Sequence, residues 1–395
     1  MPADHAVLSA SGAHRWLACP PSARLESGLS EEGASPYAEE GTAAHALAEL
    51  ELRIRTGTIW PDDVEREEEI FRSRYQRYDS PAMREYIAGY VDSVLEALKE
   101  AEAEFGEKRT LILMEQRLDF SPWVPEGFGT GDVVLITPGY LTVIDLKYGK
   151  GIPVSAEENP QLKLYALGAY HQFGALYDFE QIRTRIDQPR LENRSEYDYS
   201  LKELLSWGEQ IKPTALQAYE GKGRLKAGEH CRFCKFRTQC RVRAIYMLEL
   251  ADAFQTTPAE QLTAAEMGRI LDRSSEISAW LKEISDYALR QALSGVRWPG
   301  YKIVEGRSNR TIADEQAAVK AFTEAGIPEA LLYERKFLGL SRLEEDFGKK
   351  RVSELIGHLV RKPQGKPTLV PDKDKRSEMP LASTAAEDFS NETEE

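Results

Sequence analysis

The chain has 395 residues, 42% of them hydrophobic and 29% charged, enough for a sizeable core and for two or three domains. It contains no apolar run of the roughly 18 residues a membrane helix needs, and its opening segment lacks the basic-then-apolar pattern of a secretory leader. A cytoplasmic protein with no membrane association is therefore expected. The formal net charge of −14 argues against a uniformly basic nucleic-acid binder, but the charge is uneven. From Lys222 to Arg243 eight basic residues, Arg232, Lys235 and Arg237 among them, face the single acid Glu229. Such a patch can contact phosphates whatever the global sign.

In chain order, a turn-rich start around Cys19-Pro20-Pro21 gives way to a helix over 39–55, with Leu47, Leu50 and Ile54 spaced to face a core. Residues 62–78 are charge-dense and read as a solvated helix or loop. An amphipathic helix over 83–105 carries Ile87, Val91, Val94, Leu95 and Leu98 on one stripe. A strand over 110–118, a Pro- and Gly-rich loop and two β-rich runs, 131–137 and 141–147, follow, with Pro138-Gly139 as the turn between the runs. Asn159-Pro160 starts a helix, as N-cap and first helical residue, that runs to about Gly174. A strand near 182–188, a helix near 201–219, a long helix over 264–293 and a short strand at Tyr301–Val304 complete the pattern. From Pro363 onward there is no periodicity, and a flexible acidic tail is expected.

The hairpin carries the chemistry. A symmetric turn centred between Pro138 and Gly139 sets Asp132 opposite Asp145, with Cβ atoms about 4.5–5.5 Å apart. Facing like charges destabilise a sheet unless a cation neutralises them. Lys147, two residues beyond Asp145, projects from the same face. Two carboxylates and a lysine suit phosphodiester hydrolysis: the acids hold Mg²⁺ or Mn²⁺, and the lysine orients water or stabilises developing charge. The plain alternative is two surface acids and a lysine beside a turn.

Other residues bear on that choice. His45 lies on the first long helix, and imidazole is a ligand for Mn²⁺ and other transition metals. Gln161 and Tyr165, four apart, share one helix face just after the hairpin. The order His45, Gly129-Thr130-Gly131-Asp132, Asp145-Leu146-Lys147 and Gln161-Leu162-Lys163-Leu164-Tyr165 resembles the PD-(D/E)XK nuclease superfamily, in particular its RecB-type exonuclease branch. The resemblance implies an α/β (α+β) core with a mixed sheet flanked by helices. It implies His45, Asp132 and Asp145 as metal ligands, Asp132, Asp145 and Lys147 as the catalytic set, and Gln161 and Tyr165 along the DNA groove. Glu115, on the preceding strand, is a further acid that no motif anchors.

Four cysteines remain: Cys19, and Cys231, Cys234 and Cys240 in a Cys-x2-Cys-x5-Cys run. Disulfides are disfavoured in a cytosolic protein, which leaves free thiols, zinc or an iron–sulfur cluster. One cysteine before the core and this run after it resemble the iron–sulfur staple of AddB-type and CRISPR-associated RecB-like nucleases. The resemblance implies a [4Fe–4S] cluster, with Zn²⁺ as the alternative. Arg232, Lys235 and Arg237 would then form a basic rim for DNA, and Phe233 and Phe236 could stack on bases or pack around the cluster.

The run from Ser9 to Glu26, Gly306–Arg310 and Gly365–Pro371 resemble a phage- and prophage-encoded family of uncharacterised proteins, which implies a bacterial host cell and partners in phage replication or recombination. The domains expected are a nuclease core with its cysteine staple over 1–245, a helical region over 246–362, and the acidic tail over 363–395. The basic spots Arg307, Arg310, Lys349, Lys350 and Arg351 either extend the DNA path or are solvated faces. The leading expectation is a metal-dependent DNA exonuclease or end-processing nuclease acting on ends or single strands. The rivals are a non-catalytic DNA-binding accessory protein on the same fold and a zinc-stabilised interaction module.

Overall fold

The structure is a computed structural model, described for residues 6–29, 35–105, 110–253, 263–304, 314–325, 328–333, 337–361 and 377. Arg307, Arg310, the Gly306–Arg310 and Gly365–Pro371 runs and, but for Ser377, the acidic tail lie outside the described residues. Helices α1 (Ala13–Ala18), α2 (Ser22–Ser27), α3 (Pro36–Arg55), α4 (Pro61–Tyr75) and α5 (Pro81–Phe105) precede strands β1 (Leu111–Asp119), β2 (Phe128–Thr137) and β3 (Tyr140–Leu146). Then come α6 (Pro160–Phe173), β4 (Gln181–Gln188), β5 (Asn193–Ser200) and α7 (Leu201–Glu220). The described residues after α7 hold helices and no strand: α8 (Arg241–Ala253), α9 (Ala264–Leu293), α10 (Glu315–Glu324), α11 (Leu340–Phe347) and α12 (Lys349–Ile356).

One five-stranded sheet runs in the order β1-β2-β3-β4-β5. β1, β2 and β3 pair antiparallel, β3 and β4 parallel, and β4 and β5 antiparallel. The expected mixed sheet flanked by helices is the observed architecture. A parallel neighbour for β3 needs a crossover, which α6 supplies. The Asn159 side chain accepts from the Gln161 and Leu162 amides, and Pro160 takes the first turn. Cap and proline together begin the helix where its fixed backbone costs least.

Each sheet face has its own apolar layer. Val134, Ile136, Leu141 and Val143 pack with α6, α7 and the N-terminal α1; Val133, Leu135, Ile144 and Leu146 pack with α3 and α5. α6 is buried from Leu162 to Ala169, as a crossover helix between a sheet and further helices must be. The charge-dense segment after Trp60 is α4, which buries Phe71.

Two expectations need correction. Tyr301–Val304 is not a strand; the four residues are exposed and have no pairing partner among the described residues, so β propensity alone does not form one. Conversely, β5 was not expected, because an edge strand reading NRSEYDYS lacks the apolar alternation of a half-buried one. Its signal was Tyr197 and Tyr199 at period two, both packed against the α6-side core. No described helix is long and apolar enough to cross a membrane.

Candidate metal centre and cysteine cluster

The hairpin register is the symmetric one: Val133 pairs with Ile144, Val134 with Val143 and Thr137 with Tyr140. Gly139, at φ 78°, makes the turn. The ladder, however, ends one pair short of Asp132 and Asp145. The Asp132 Oδ2 atom instead accepts a hydrogen bond from the Leu146 amide at 2.6 Å. Asp132 thus reads the β3 backbone rather than standing as a simple cross-strand partner of Asp145.

A second interruption lies on the other side of Asp132. β1 and β2 pair at Met114–Val133 and again at Gln116–Gly131, skipping Glu115 and Asp132. At this row both strands exchange faces. Met114 packs on the α3/α5 side, while Leu118, four residues on, lies in the α6-side core. Val133 packs on the α3/α5 side, whereas a Cβ on Gly131 would point at Leu118 of the opposite layer. Regular alternation permits neither. Glu115 carries the switch with a left-handed φ of 46°, a conformation that strains a residue of this shape by about 1–3 kcal/mol.

The switch brings acids to α3. His45 sits at the border of the buried stripe Ala44, Leu47 and Ala48, 34% exposed, with Nδ1 3.2 Å from Asp132 Oδ1. Donor atoms of His45, Glu115 and Asp132 all lie within 4.8 Å of one another, and the three line one small cavity with Tyr90. Burial lowers the His45 imidazolium, but Asp132, Asp145 and Glu115 more than offset it and push the group up to about 9. Burial and the neighbouring Asp132 push the Glu115 carboxyl up to about 7. One imidazole and two carboxylates in mutual reach are a donor set for Mn²⁺ or Mg²⁺, and a cation would relieve the Asp132 repulsion that adds to burial in raising Glu115.

Asp145 stands on the α6 side of the same row. Its carboxylate is almost fully buried, with Oδ2 2.9 Å from Lys147 Nζ and Oδ1 accepting from Gln161 Nε2 at 3.0 Å. Gln161 Oε1 accepts from Lys147 Nζ at 3.1 Å, and its Nε2 also reaches Tyr165 Oη at 3.2 Å. Burial raises the Asp145 carboxyl and Lys147 opposes the rise. For Lys147 burial lowers the ammonium, and Asp145 more than restores it. Backbone fixes the lysine as well, since its amide donates to the Asp187 carbonyl at 2.8 Å. His45, Asp132, Asp145, Lys147, Gln161 and Tyr165 are therefore all brought to one end of β2, β3 and α6. Glu115 joins them with no sequence motif to announce it.

The four cysteines also meet. Cys19, Cys231, Cys234 and Cys240 line one cavity together with His230, Phe236 and Arg237. Arg15 pairs with Glu26 at 2.6 Å and donates to the Phe233 carbonyl, and Glu26 accepts from the Lys235 amide at 2.6 Å. Burial, with Glu26 nearby, pushes the Cys234 thiol up to about 12, so a thiolate there needs a cation beside it. Arg232 and Lys235 are exposed. Arg237 does not join them: it pairs with Glu283 of α9 at 3.1 Å and donates to the Cys234 carbonyl. Phe236 lines the cavity, while Phe233 is 71% exposed. Farther on, the Lys349 and Lys350 amides donate to Glu85, and Lys349 Nζ pairs with Glu192.

Among solved structures, the chain is similar to a candidate exonuclease from Eubacterium rectale, at 14% identity and a TM-score of 0.33, over 60% of this chain and 88% of that one. It is also similar to SSO0001, at 15% identity and a TM-score of 0.22, over 58% of this chain and 96% of that one. Residues 5–377 match the family described as "Protein of unknown function (DUF2800)", and the chain belongs to that family.

Proposed function

We propose that the chain is a Mg²⁺- or Mn²⁺-dependent deoxyribonuclease on a PD-(D/E)XK-type core, hydrolysing phosphodiester bonds at DNA ends or in single strands. One observation carries this reading. A cation-type donor set, His45, Glu115 and Asp132, adjoins the ion pair of buried Asp145 with half-buried Lys147 on the next strand, with Asp132 bonded to the amide that follows Asp145. When bound, the cation polarises the scissile phosphate and lowers the pKa of the attacking water.

The chain's own groups divide the remaining work. Asp145 holds Lys147 in its charged form, so the lysine serves as a cationic donor to charge gathering on the phosphate and not as a base. Gln161 locks Asp145 and Lys147 in one orientation, and the Asn159 cap fixes Gln161 in turn. Exposed Arg232 and Lys235 offer contacts to the DNA backbone.

The four cysteines are proposed to hold a [4Fe–4S] cluster, or Zn²⁺ in its place, that staples α1 and α2 to the segment after α7. Shared cavity lining by thiols about 200 residues apart in sequence supports this. Iron, sulfide and zinc content of anaerobically purified protein distinguishes the two. The resemblance to phage-encoded proteins supports a role in phage replication or recombination.

The nuclease reading is tested with purified Asp145→Ala and Lys147→Ala chains on linear single- and double-stranded DNA with Mn²⁺. Loss of cleavage with DNA binding retained is expected. Degradation equal to that of the unaltered chain would overturn the reading, and salt-sensitive binding without cleavage by the unaltered chain would favour an accessory DNA-binding role.

A further inference from the structure

Tyr90 has a hydroxyl in an unusual place. Its ring belongs to the apolar stripe of α5, beside Ile87, Val91 and Val94, and the residue is 2% exposed. Its Oη atom is buried and meets no hydrogen-bond partner among the described residues. A phenylalanine would fill the same space without stranding a polar atom, which costs about 1–3 kcal/mol. Tyr90 also lines the cavity shared by His45, Glu115 and Asp132. It also lines a second, larger cavity with Ser93 and Asp187. Tyr90 therefore borders both cavities.

We propose that Tyr90 is a positioning residue of the metal centre, whose hydroxyl donates a hydrogen bond to an oxygen ligand of the cation. The inference rests on the metal-centre reading above and adds to it a residue outside the nuclease motifs. Its physical basis is that a ligand oxygen needs an outer donor to fix its direction. Glu115 and Asp132 supply carboxylate oxygens, and Tyr90 is the α5 residue that lines their cavity. A phenol is a hydrogen-bond donor at neutral pH.

The test is Tyr90→Phe in the full chain, compared with Asp132→Ala. Two quantities are read: Mn²⁺ affinity by calorimetry with the Mn²⁺ spin-resonance line shape, and melting temperature after chelation. Tyr90→Phe is expected to weaken Mn²⁺ binding roughly tenfold or more and to alter the line shape, while the chelated protein melts no lower than the unaltered chain. Unchanged Mn²⁺ affinity in Tyr90→Phe, with binding abolished in Asp132→Ala, would overturn the role of Tyr90 and leave the metal centre standing. Unchanged affinity in both variants would overturn the metal centre and the Tyr90 proposal with it.

Discussion

Glu115 faces Asp132 at the one row where β1 and β2 both trade one side of the sheet for the other. Without that switch the α3 histidine and the acids of the strands would be separated by the sheet. With it, His45 Nδ1 comes within 3.2 Å of Asp132. The strained backbone at Glu115 thus brings a third donor within reach of His45 and Asp132.

Strain and charge at this row make a first prediction. Glu115→Gly removes the cost of φ 46° and one of the facing carboxylates, while adding the entropy cost of glycine. The chelated protein is expected to gain on the order of 1 kcal/mol in urea unfolding. The stabilisation conferred by Mn²⁺ should shrink in the same variant. A less stable chelated protein would mean that Glu115 is structural.

Proton linkage gives a second. His45 is pushed up to about 9 from 6.5, and Glu115 up to about 7 from 4.5. Both hold protons more tightly in the folded chain. The His45 contribution to stability is complete below 6.5 and gone once the pH passes about 9. The protonated Glu115 carboxyl likewise favours the fold below 4.5, an advantage lost as pH climbs through about 7. Stability of the chelated protein attributable to these groups therefore falls with rising pH. A cation must displace the same protons, so Mn²⁺ affinity should rise between about pH 6 and 9. Calorimetry in buffers of different ionisation enthalpy should show proton release that shrinks in His45→Ala; pH-independent affinity would contradict this.

A third concerns Gly129. A Cβ built there would lie 2.8 Å from Cε1 of Tyr165, so the residue must be small for the ring to pack. Gly129→Ala should displace Tyr165 and its contact with Gln161, costing about 1–3 kcal/mol of stability and lowering cleavage. Tyr165→Phe, which keeps the ring, should be milder on both counts. Equal effects from the two would show that the hydroxyl and not the close approach matters.

The Asp145–Lys147 pair supplies a fourth. Lys147→Met leaves a buried carboxylate without its cation and should destabilise by about 1–3 kcal/mol. Adding Asp145→Asn should recover most of that loss in a thermal melt while cleavage stays absent. Failure of the second change to restore stability would show that the pair is not energetically coupled.

Much of this was legible beforehand, for identifiable reasons. The Pro138-Gly139 turn fixes the register of β2 and β3, and Asn159-Pro160 fixes the start of α6, so the row shared by Asp132 and Asp145 and the approach of Gln161 to Asp145 followed from local chemistry, whereas the face that Asp132 takes did not. The side-chain bond from Asp132 to the Leu146 amide was invisible, because it replaces the ladder pair that alternation implies. Glu115 could be noted only as an unanchored acid on the strand before the hairpin, because its place in the donor set depends on a face switch, and neither switch residue is a glycine. The cysteine spacing pointed to a shared centre, but the capture of Arg237 by Glu283 depends on α9, whose docking no local pattern encodes.

The central claim is that these residues form a cation site that cleaves DNA. The most direct test is hydrolysis of end-labelled linear DNA by the unaltered chain and by Asp132→Ala, with Mn²⁺ and with chelator. The expected result is cleavage that chelator abolishes and that Asp132→Ala reduces roughly a hundredfold or more. Cleavage that persists unchanged in Asp132→Ala, or that ignores the chelator, would contradict it.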